Sequence, residues 1–430
     1  MSRYLFVTLP LMGHALPIAA VARQLEARGH EVTWAGSERF LRPLVGPQAR
    51  VHPIPLRAHR GGQGELGMAA VKSRWAGYIV PHARTTLRGI DQAVEAFRPD
   101  AMAVDQHAVA GALIAHRRAL PWASLAPTTM ELTRPYRALP KVESWILDLL
   151  DGLWTEAGLP GRPPHDLRFS PHLLIAFTGT ALVGAPRAQG ADPSGVDPSR
   201  VDPSSVDPSG AGPNAANELP WLRDAAFVGP ALGPRAADPA FPWHWLDPGR
   251  KHVLITMGTL SMDLAEGFYR RMTQALEPLG DRLQAIVVAP HYAIPDPPGH
   301  VLAVRQVPML DLMPRLDAVV SHGGLNTVCE ALAHGVPLVI APIKGDQPIN
   351  AAQVAAAGAG VRVRFARSGP QALREALVAV LDDPAYRAAA LCVRDSLREA
   401  GGAAQAARLL EALTRTGAPV EREVTYEGVA

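Results

Sequence analysis

A histidine, an aspartate and two glycine-rich turns are the residues of this sequence with chemistry to offer. His14 stands in PLMGHALP, Pro10 to Pro17, where the β-rich apolar run Tyr4 to Leu9 gives way to helical spacing over Leu16 to Arg28. An imidazole, with an unperturbed pKa near ~6.5, can take a proton from a hydroxyl nucleophile at neutral pH. Asp105 closes the apolar run Ala101 to Val104. Neighbouring parallel strands end on one edge, so a carboxylate there can orient the imidazole and stabilise its charged form. The other use of an aspartate at that position is to cap the following helix.

The segment Ser321-His322-Gly323-Gly324-Leu325-Asn326-Thr327 turns from an apolar run into a helix start. Two glycines allow close backbone approach, and the unpaired N–H groups of a helix start favour a pyrophosphate. No lysine follows as in a Walker loop and the pattern is not GxGxxG, so neither ATP hydrolysis nor a dinucleotide is indicated. Met257-Gly258-Thr259-Leu260-Ser261 supplies a second such turn, with Thr259 as a further phosphate donor. Glu330, three residues into the helix expected at Thr327 to His334, is placed for a ribose or for first-turn helix stabilisation. Asp346 and Gln347 sit side by side in APIKGDQP and offer acceptors and donors for sugar hydroxyls. Trp75, Tyr78, Met130 and Trp145, with Leu149 and Trp154, are candidates for an apolar acceptor pocket or for ordinary core. No histidines and carboxylates fall at ligand spacing, so no metal site is expected.

These loops need strand ends to hold them. After Tyr4 to Leu9 come a helix, a strand at Val32 to Ala35, strands at Ala101 to Val104 and Trp122 to Ala126, and a helix between those two. The alternation predicts an open parallel α/β sheet. A second series has strands at Val253 to Thr256, Gln284 to Val288, Val301 to Val304, Ala318 to Ser321 and Leu338 to Ile340. The expected fold is therefore two doubly wound α/β domains flanking a cleft, the default ligand position for such sheets. Residues 1–228 form the first domain, with a low-complexity insertion at 190–213 built on the repeat DPSGV DPSRV DPSSV DPSG. Residues 229–249 form a proline-rich linker, 250–415 the second domain and 416–430 a tail.

With 430 residues, 48% hydrophobic and 19% charged, the chain can fill two cores, and no apolar stretch has the ~18-residue length of a membrane span. The 42 basic and 40 acidic residues leave a net charge of +2, which gives no field to gather nucleic acid or anionic lipid. Cys329 and Cys392 are the only cysteines and fit a reducing cytoplasm. The N-terminal apolar run carries Pro10 and reads as mature structure rather than a signal.

The loop GHALP with His14, the strand-end Asp105 and the block SHGGLNTVCEALAHGVPLVIAPIKGDQPINAAQV together resemble the family 1 nucleotide-sugar glycosyltransferases of the GT-B fold. DQ followed by PINAAQV, the MGTL loop and VDQHAVAGALIA look most like bacterial zeaxanthin glucosyltransferases and natural-product enzymes. The resemblance implies an inverting, metal-independent transfer of a hexose from a UDP- or TDP-sugar to a hydroxyl of a small apolar acceptor. In it, His14 is the base and Asp105 orients it. His322, Gly324, Asn326 and Thr327 hold the diphosphate with Thr259 assisting, Glu330 bonds the ribose, and Asp346 and Gln347 bond the hexose. Where plant members carry WxPQ at the nucleobase, this chain has Gln306-Val307-Pro308-Met309, which places Gln306 at the base and leaves uracil and thymine both open. The alternatives are a nucleotide-sugar epimerase of the same fold, which needs no acceptor cleft, and a noncatalytic partner protein, which would need neither His14 nor Asp105.

Overall fold

The structure is a computed structural model that describes residues 1–54, 65–183, 225–234, 240–258, 265–294 and 296–420. The repeat insertion and Thr259 lie outside the described residues. Two wholly parallel sheets form the frame. The first has seven strands: β1 (Arg3–Val7), β2 (Glu31–Gly36), β3 (Arg50–Pro53), β4 (Ala101–Asp105), β5 (Trp122–Ala126), β6 (Leu173–Ala176) and β7 (Ala225–Phe227), in the order β3-β2-β1-β4-β5-β6-β7. The second has six: β8 (Lys251–Thr256), β9 (Leu283–Val288), β10 (Val301–Val304), β11 (Ala318–Ser321), β12 (Leu338–Ile340) and β13 (Gly360–Arg362), in the order β10-β9-β8-β11-β12-β13.

Parallel strands linked by helical crossovers are buried on both faces, which is why they read as unbroken apolar runs. Leu5, Val7, Met102 and Val104 face one way, into a core with helices Val80–Phe97 and Val109–Arg117. Tyr4, Phe6, Ala101 and Ala103 face the other way, against helix Met12–Ala27. Val253, Ile255, Ala318 and Val320 of the second sheet meet helices Glu266–Leu276 and Pro370–Asp382 on one side. Leu254, Val319, Leu338 and Ile340 meet helices Leu325–Ala333 and Pro384–Glu399 on the other.

Each order reverses once, between β1 and β4 and between β8 and β11. At such a switch point the flanking crossovers leave on opposite faces and open a crevice beyond the strand ends. His14, Gly258 and His322 come after the ends of β1, β8 and β11, and Asp105 closes β4.

The last helix, Gly402–Thr416, corrects the expected domain limits. Spacing along the chain puts it with the second domain, but it packs on the first sheet through Ala406, Ala407, Leu410 and Leu413. Tyr4 Oη meets Thr414 Oγ1 at 2.9 Å, and Glu411 pairs with Arg28 Nη1 and His30 Nε2, each at 3.0 Å. An amphipathic helix joins whichever apolar face lacks cover, and chain position does not disclose that face. Leu410 has no exposed surface. Leu410→Ala should therefore cost about 2–5 kcal/mol, as large-to-small core changes do, read from the urea midpoint; a loss below about 0.5 kcal/mol, within the range of surface substitutions, would contradict this packing.

Candidate active site

β1 and β4 pair in register through Val7 and Val104, so Thr8 and Asp105 emerge side by side. Asp105 has no exposed surface and four donors reach its carboxylate. Thr8 Oγ1 at 3.2 Å, Leu9 N–H at 3.1 Å and His14 Nδ1 at 2.8 Å meet Oδ2, and His107 N–H meets Oδ1 at 3.0 Å. Burial alone raises a carboxyl pKa, but attraction to His14 and His107 and their hydrogen bonds outweigh it and hold Asp105 down at about 2. A carboxylate that stays ionised requires a proton on the nitrogen facing it. His14 accordingly donates through Nδ1 and keeps Nε2 as the lone-pair acceptor.

His14 lies in the first turn of its helix, which starts at Met12 rather than at the expected Leu16. Gly13 and Pro17 break the apolar spacing and hide that turn from a periodicity reading. Pro17 has no N–H to give the carbonyl four residues back, and its ring pushes that carbonyl outward. This carbonyl belongs to Gly13, and it accepts a 3.0 Å hydrogen bond from Asn326 Nδ2 of the second domain.

Beneath the His14–Asp105 pair lies a polar network that residue spacing does not announce. His107, whose ring centroid is 5.5 Å from that of His14, bonds Glu131 Oε1 through Nε2 at 3.1 Å. Glu131 takes Arg168 Nη1 at 2.6 Å, and the same guanidinium reaches Glu143 at 2.7 Å and Asp166 at 2.8 Å. Burial pushes the Glu131 carboxyl up, but Arg168 and His107 bring it down to about 2. His107 stands two residues after Asp105, in the turn that follows the strand. Arg168 lies 37 residues beyond Glu131 in a stretch without periodicity, where sequence offers no signal. Donor atoms of His14, Asp105 and His107 lie within 4.8 Å of one another, the one such grouping among the described residues. Both Asp105 oxygens already accept N–H hydrogen bonds and the 2.8 Å contact has hydrogen-bond length, so the grouping reads as a proton-holding dyad with a supporting histidine.

Across the cleft, helix Leu325–Ala333 begins two residues earlier than expected, with Gly324 at its N-cap. The free N–H groups of Leu325, Asn326 and Thr327 form the helix start. His322 packs between two glycines: a Cβ on Gly258 would fall 2.6 Å from its Nε2, and one on Gly324 would fall 2.8 Å from it. Gly323 adopts φ +86°, open to glycine at little cost. Burial depresses the His322 pKa to about 4, with Asp346 and a Thr256 hydrogen bond opposing, so the ring is neutral at pH 7.

Glu330 lies five residues past the start of the helix rather than three. It is buried about 8 Å along the axis from Leu325 at the usual rise. It lines a cavity with Pro17, Asn326, Ala231 and Gly233. Asp346 precedes helix Gln347–Ala356. Gln347 Oε1 accepts from the N–H groups of Ile343 at 2.8 Å and Lys344 at 2.9 Å, so its carboxamide oxygen shapes the loop and its NH₂ is the part suited to a sugar oxygen. Gln306 is exposed on the loop after β10.

Trp75, Tyr78, Met130 and Trp145 belong to one apolar cluster, with Leu11 and Ile349. Trp75 and Tyr78 lie on a π-helical turn, Trp75–Ile79, a form often found at functional sites. Trp75 has no exposed surface and meets His107 edge-on at 6.0 Å, which makes it a prop for the histidine rather than a pocket wall.

The family model "Erythromycin biosynthesis protein CIII-like, C-terminal domain" matches residues 279–413. Over 96% of this chain and 99% of its own length, 4'-demethylrebeccamycin synthase of Lentzea aerocolonigenes is 27% identical. The fold is that of the GT-B glycosyltransferases, and the erythromycin CIII-like similarity lies in the C-terminal half of the chain. The solved glycosyltransferase of kitacinnamycin superposes on it with a TM-score of 0.72 at 24% identity, covering 96% of this chain and 98% of the other. SsfS6 of Streptomyces sp. SF2575, solved with thymidine diphosphate, gives 0.64 at 21%, covering 96% and 100%. This glycosyltransferase thus moves sugar from a nucleotide sugar to a small acceptor, as its natural-product relatives do. Among its described residues no helix is long and apolar enough to cross a membrane.

Burial also sets the acid stability of this glycosyltransferase. His82 is 7% exposed with both ring nitrogens lacking hydrogen-bond partners, and burial, partly opposed by Asp105, lowers its pKa to about 4. Its unfolded value is 6.5. Between these two values the unfolded chain binds a proton that the folded one refuses, so the contribution is complete above pH 6.5 and is lost as pH falls toward 4, at about 1.4 kcal/mol per pH unit. His82→Leu should flatten the fall in unfolding free energy over that window; an unchanged slope would refute the assignment.

Proposed function

We propose that this glycosyltransferase is inverting and transfers a hexose, with His14 as the base. His14 Nε2 takes the acceptor's hydroxyl proton. The hydroxyl oxygen bonds the anomeric carbon from the face opposite the leaving group, and the carbon–oxygen bond to the diphosphate breaks with its electron pair passing to the diphosphate. The imidazolium left behind lies against Asp105, whose ionisation at all working pH values lowers the cost of forming it. One displacement inverts the anomeric centre.

His322, Gly324, Asn326 and Thr327 hold the diphosphate against a helix start, with Thr259 assisting. Glu330 takes the ribose, Gln306 lies at the base, and Asp346 and the Gln347 NH₂ take hexose hydroxyls. The helix start and neutral His322 supply donors to the leaving group, so no step calls for a metal ion or other cofactor. A fold neighbour solved with thymidine diphosphate supports a TDP-sugar over a UDP-sugar. The acceptor is a small hydroxylated apolar natural product, received by Tyr78, Met130 and Trp145, with Trp75 behind them. Cys329 and Cys392 are unpaired, in keeping with a reducing cytoplasm.

The observation that carries the reading is the 2.8 Å His14–Asp105 contact at one switch point, on the helix that the phosphate-loop residue Asn326 touches from the other. Product mass and nucleoside diphosphate release, measured with UDP-glucose and several TDP-sugars over a panel of hydroxylated aglycones, test it. His14→Ala should lower turnover by roughly 10²–10⁴-fold, the usual worth of a general base, and Asp105→Asn by about 10³-fold or more through loss of the tautomer. Thymidine diphosphate affinity should stay within about threefold in both, since neither touches the nucleotide and such a change is under 1 kcal/mol. Nucleotide binding without any sugar adduct in the wild type would favour the epimerase or the noncatalytic partner.

A further inference from the structure

Asn350 is 1% exposed and has no part in the reaction as derived above, yet its carboxamide joins three loops. Its Oδ1 accepts from Thr129 Oγ1 at 2.6 Å, and its Nδ2 donates to the Gly323 carbonyl at 2.8 Å and to Asp346 Oδ2 at 3.2 Å. Gly323 belongs to the diphosphate loop and Asp346 to the hexose loop. Thr129, which has no exposed surface, belongs to the other domain and follows β5. Two residues after Thr129, Glu131 holds His107, whose N–H is on Asp105. One amide thus ties both donor loops to the loop that supports the base, in a place where no bulk water can substitute for a lost partner. Two neighbours close the same seam. Ile349 packs into the first domain's core, and Arg74 Nη2 lies 3.0 Å from where a Cβ on Gly345 would stand.

We infer that Asn350, through Thr129, is a positioning residue that registers the bound hexose against His14 by clasping the two domains at the sugar loop. The inference rests on the proposed function for what is positioned, and on the geometry alone for the clasp. Misplacement of reacting groups by about 1 Å can cost 10²-fold in rate while leaving binding intact. The clasp should accordingly act on turnover and not on nucleotide affinity.

Thr129→Val removes the cross-domain donor at nearly constant volume and leaves the Asn350 bonds to Gly323 and Asp346 in place. Turnover with a transferring donor–acceptor pair should fall roughly 10- to 100-fold, thymidine diphosphate affinity should stay within about twofold, under 0.5 kcal/mol, and Thr129→Ser should restore turnover. Asn350→Asp sets a second carboxylate beside Asp346 and should weaken both. Unchanged turnover in Thr129→Val, a parallel loss of affinity and turnover, or failure of the serine variant to rescue would overturn the inference. A wild type that transfers no sugar would refute the proposed function instead. The clasp is then judged by amide hydrogen exchange: Thr129→Val should speed exchange across both 322–327 and 346–350 and Thr129→Ser should not, and equal exchange in all three proteins would overturn it.

Discussion

A carboxylate with no exposed surface that nonetheless keeps its charge is the constraint on which the rest of this structure depends. Asp105 is tolerated inside the first sheet because Thr8, Leu9, His14 and His107 all reach it. Remove the donors and burial would neutralise the group, ending its hold on the imidazole. The sheet order makes that solvation possible, since only beyond the ends of β1 and β4 do a strand-end carboxylate and the opening turn of a crossover helix share a crevice. His107 extends the arrangement inward to Glu131 and Arg168, so the dyad stands on a rigid polar layer rather than on apolar packing alone.

The second sheet solves the opposite problem at its own switch point. For the diphosphate proposed there it offers backbone N–H groups, a helix start and a histidine kept neutral by burial. Glycines at 258, 323 and 324 are there because an imidazole and a left-handed turn occupy the space a Cβ would need. The two halves meet through exact local chemistry: Pro17 frees and tilts the Gly13 carbonyl for Asn326, and Thr129 meets Asn350. In the proposed reaction the sugar passes across that seam, so the seam's geometry would bear on rate alongside the reacting groups.

Much of this was legible in the sequence because parallel sheets write themselves as apolar runs. Trp122–Ala126, Val301–Val304, Ala318–Ser321 and Leu338–Ile340 fall where the runs place them. His14 and Asp105 could be paired because both stand at strand ends in βα units. The illegible parts are those fixed by tertiary contact. Nothing in the spacing of Gly402–Thr416 says which sheet it covers, and a proline inside Met12–Ala27 argues locally against the helix that tertiary packing retains. Arg168 and Asn350 are isolated polar residues whose meaning lies wholly in partners distant along the chain. Glu330 lies deeper in its helix than spacing indicates because the apolar signal of the first two residues is carried by Leu325 alone.

Asp105 fixes His14 as the Nδ1–H tautomer with Nε2 free to accept a proton. Long-range proton–nitrogen correlation NMR on protein labelled with ¹⁵N-histidine, with His14 assigned by comparison with His14→Gln, reads that tautomer directly. In the neutral ring the proton is expected on Nδ1, downfield and exchange-protected, with Nε2 bare, and the pattern is expected to collapse in Asp105→Asn. A His14 ring protonated at Nε2 and bare at Nδ1, or one indifferent to Asp105→Asn, would contradict it.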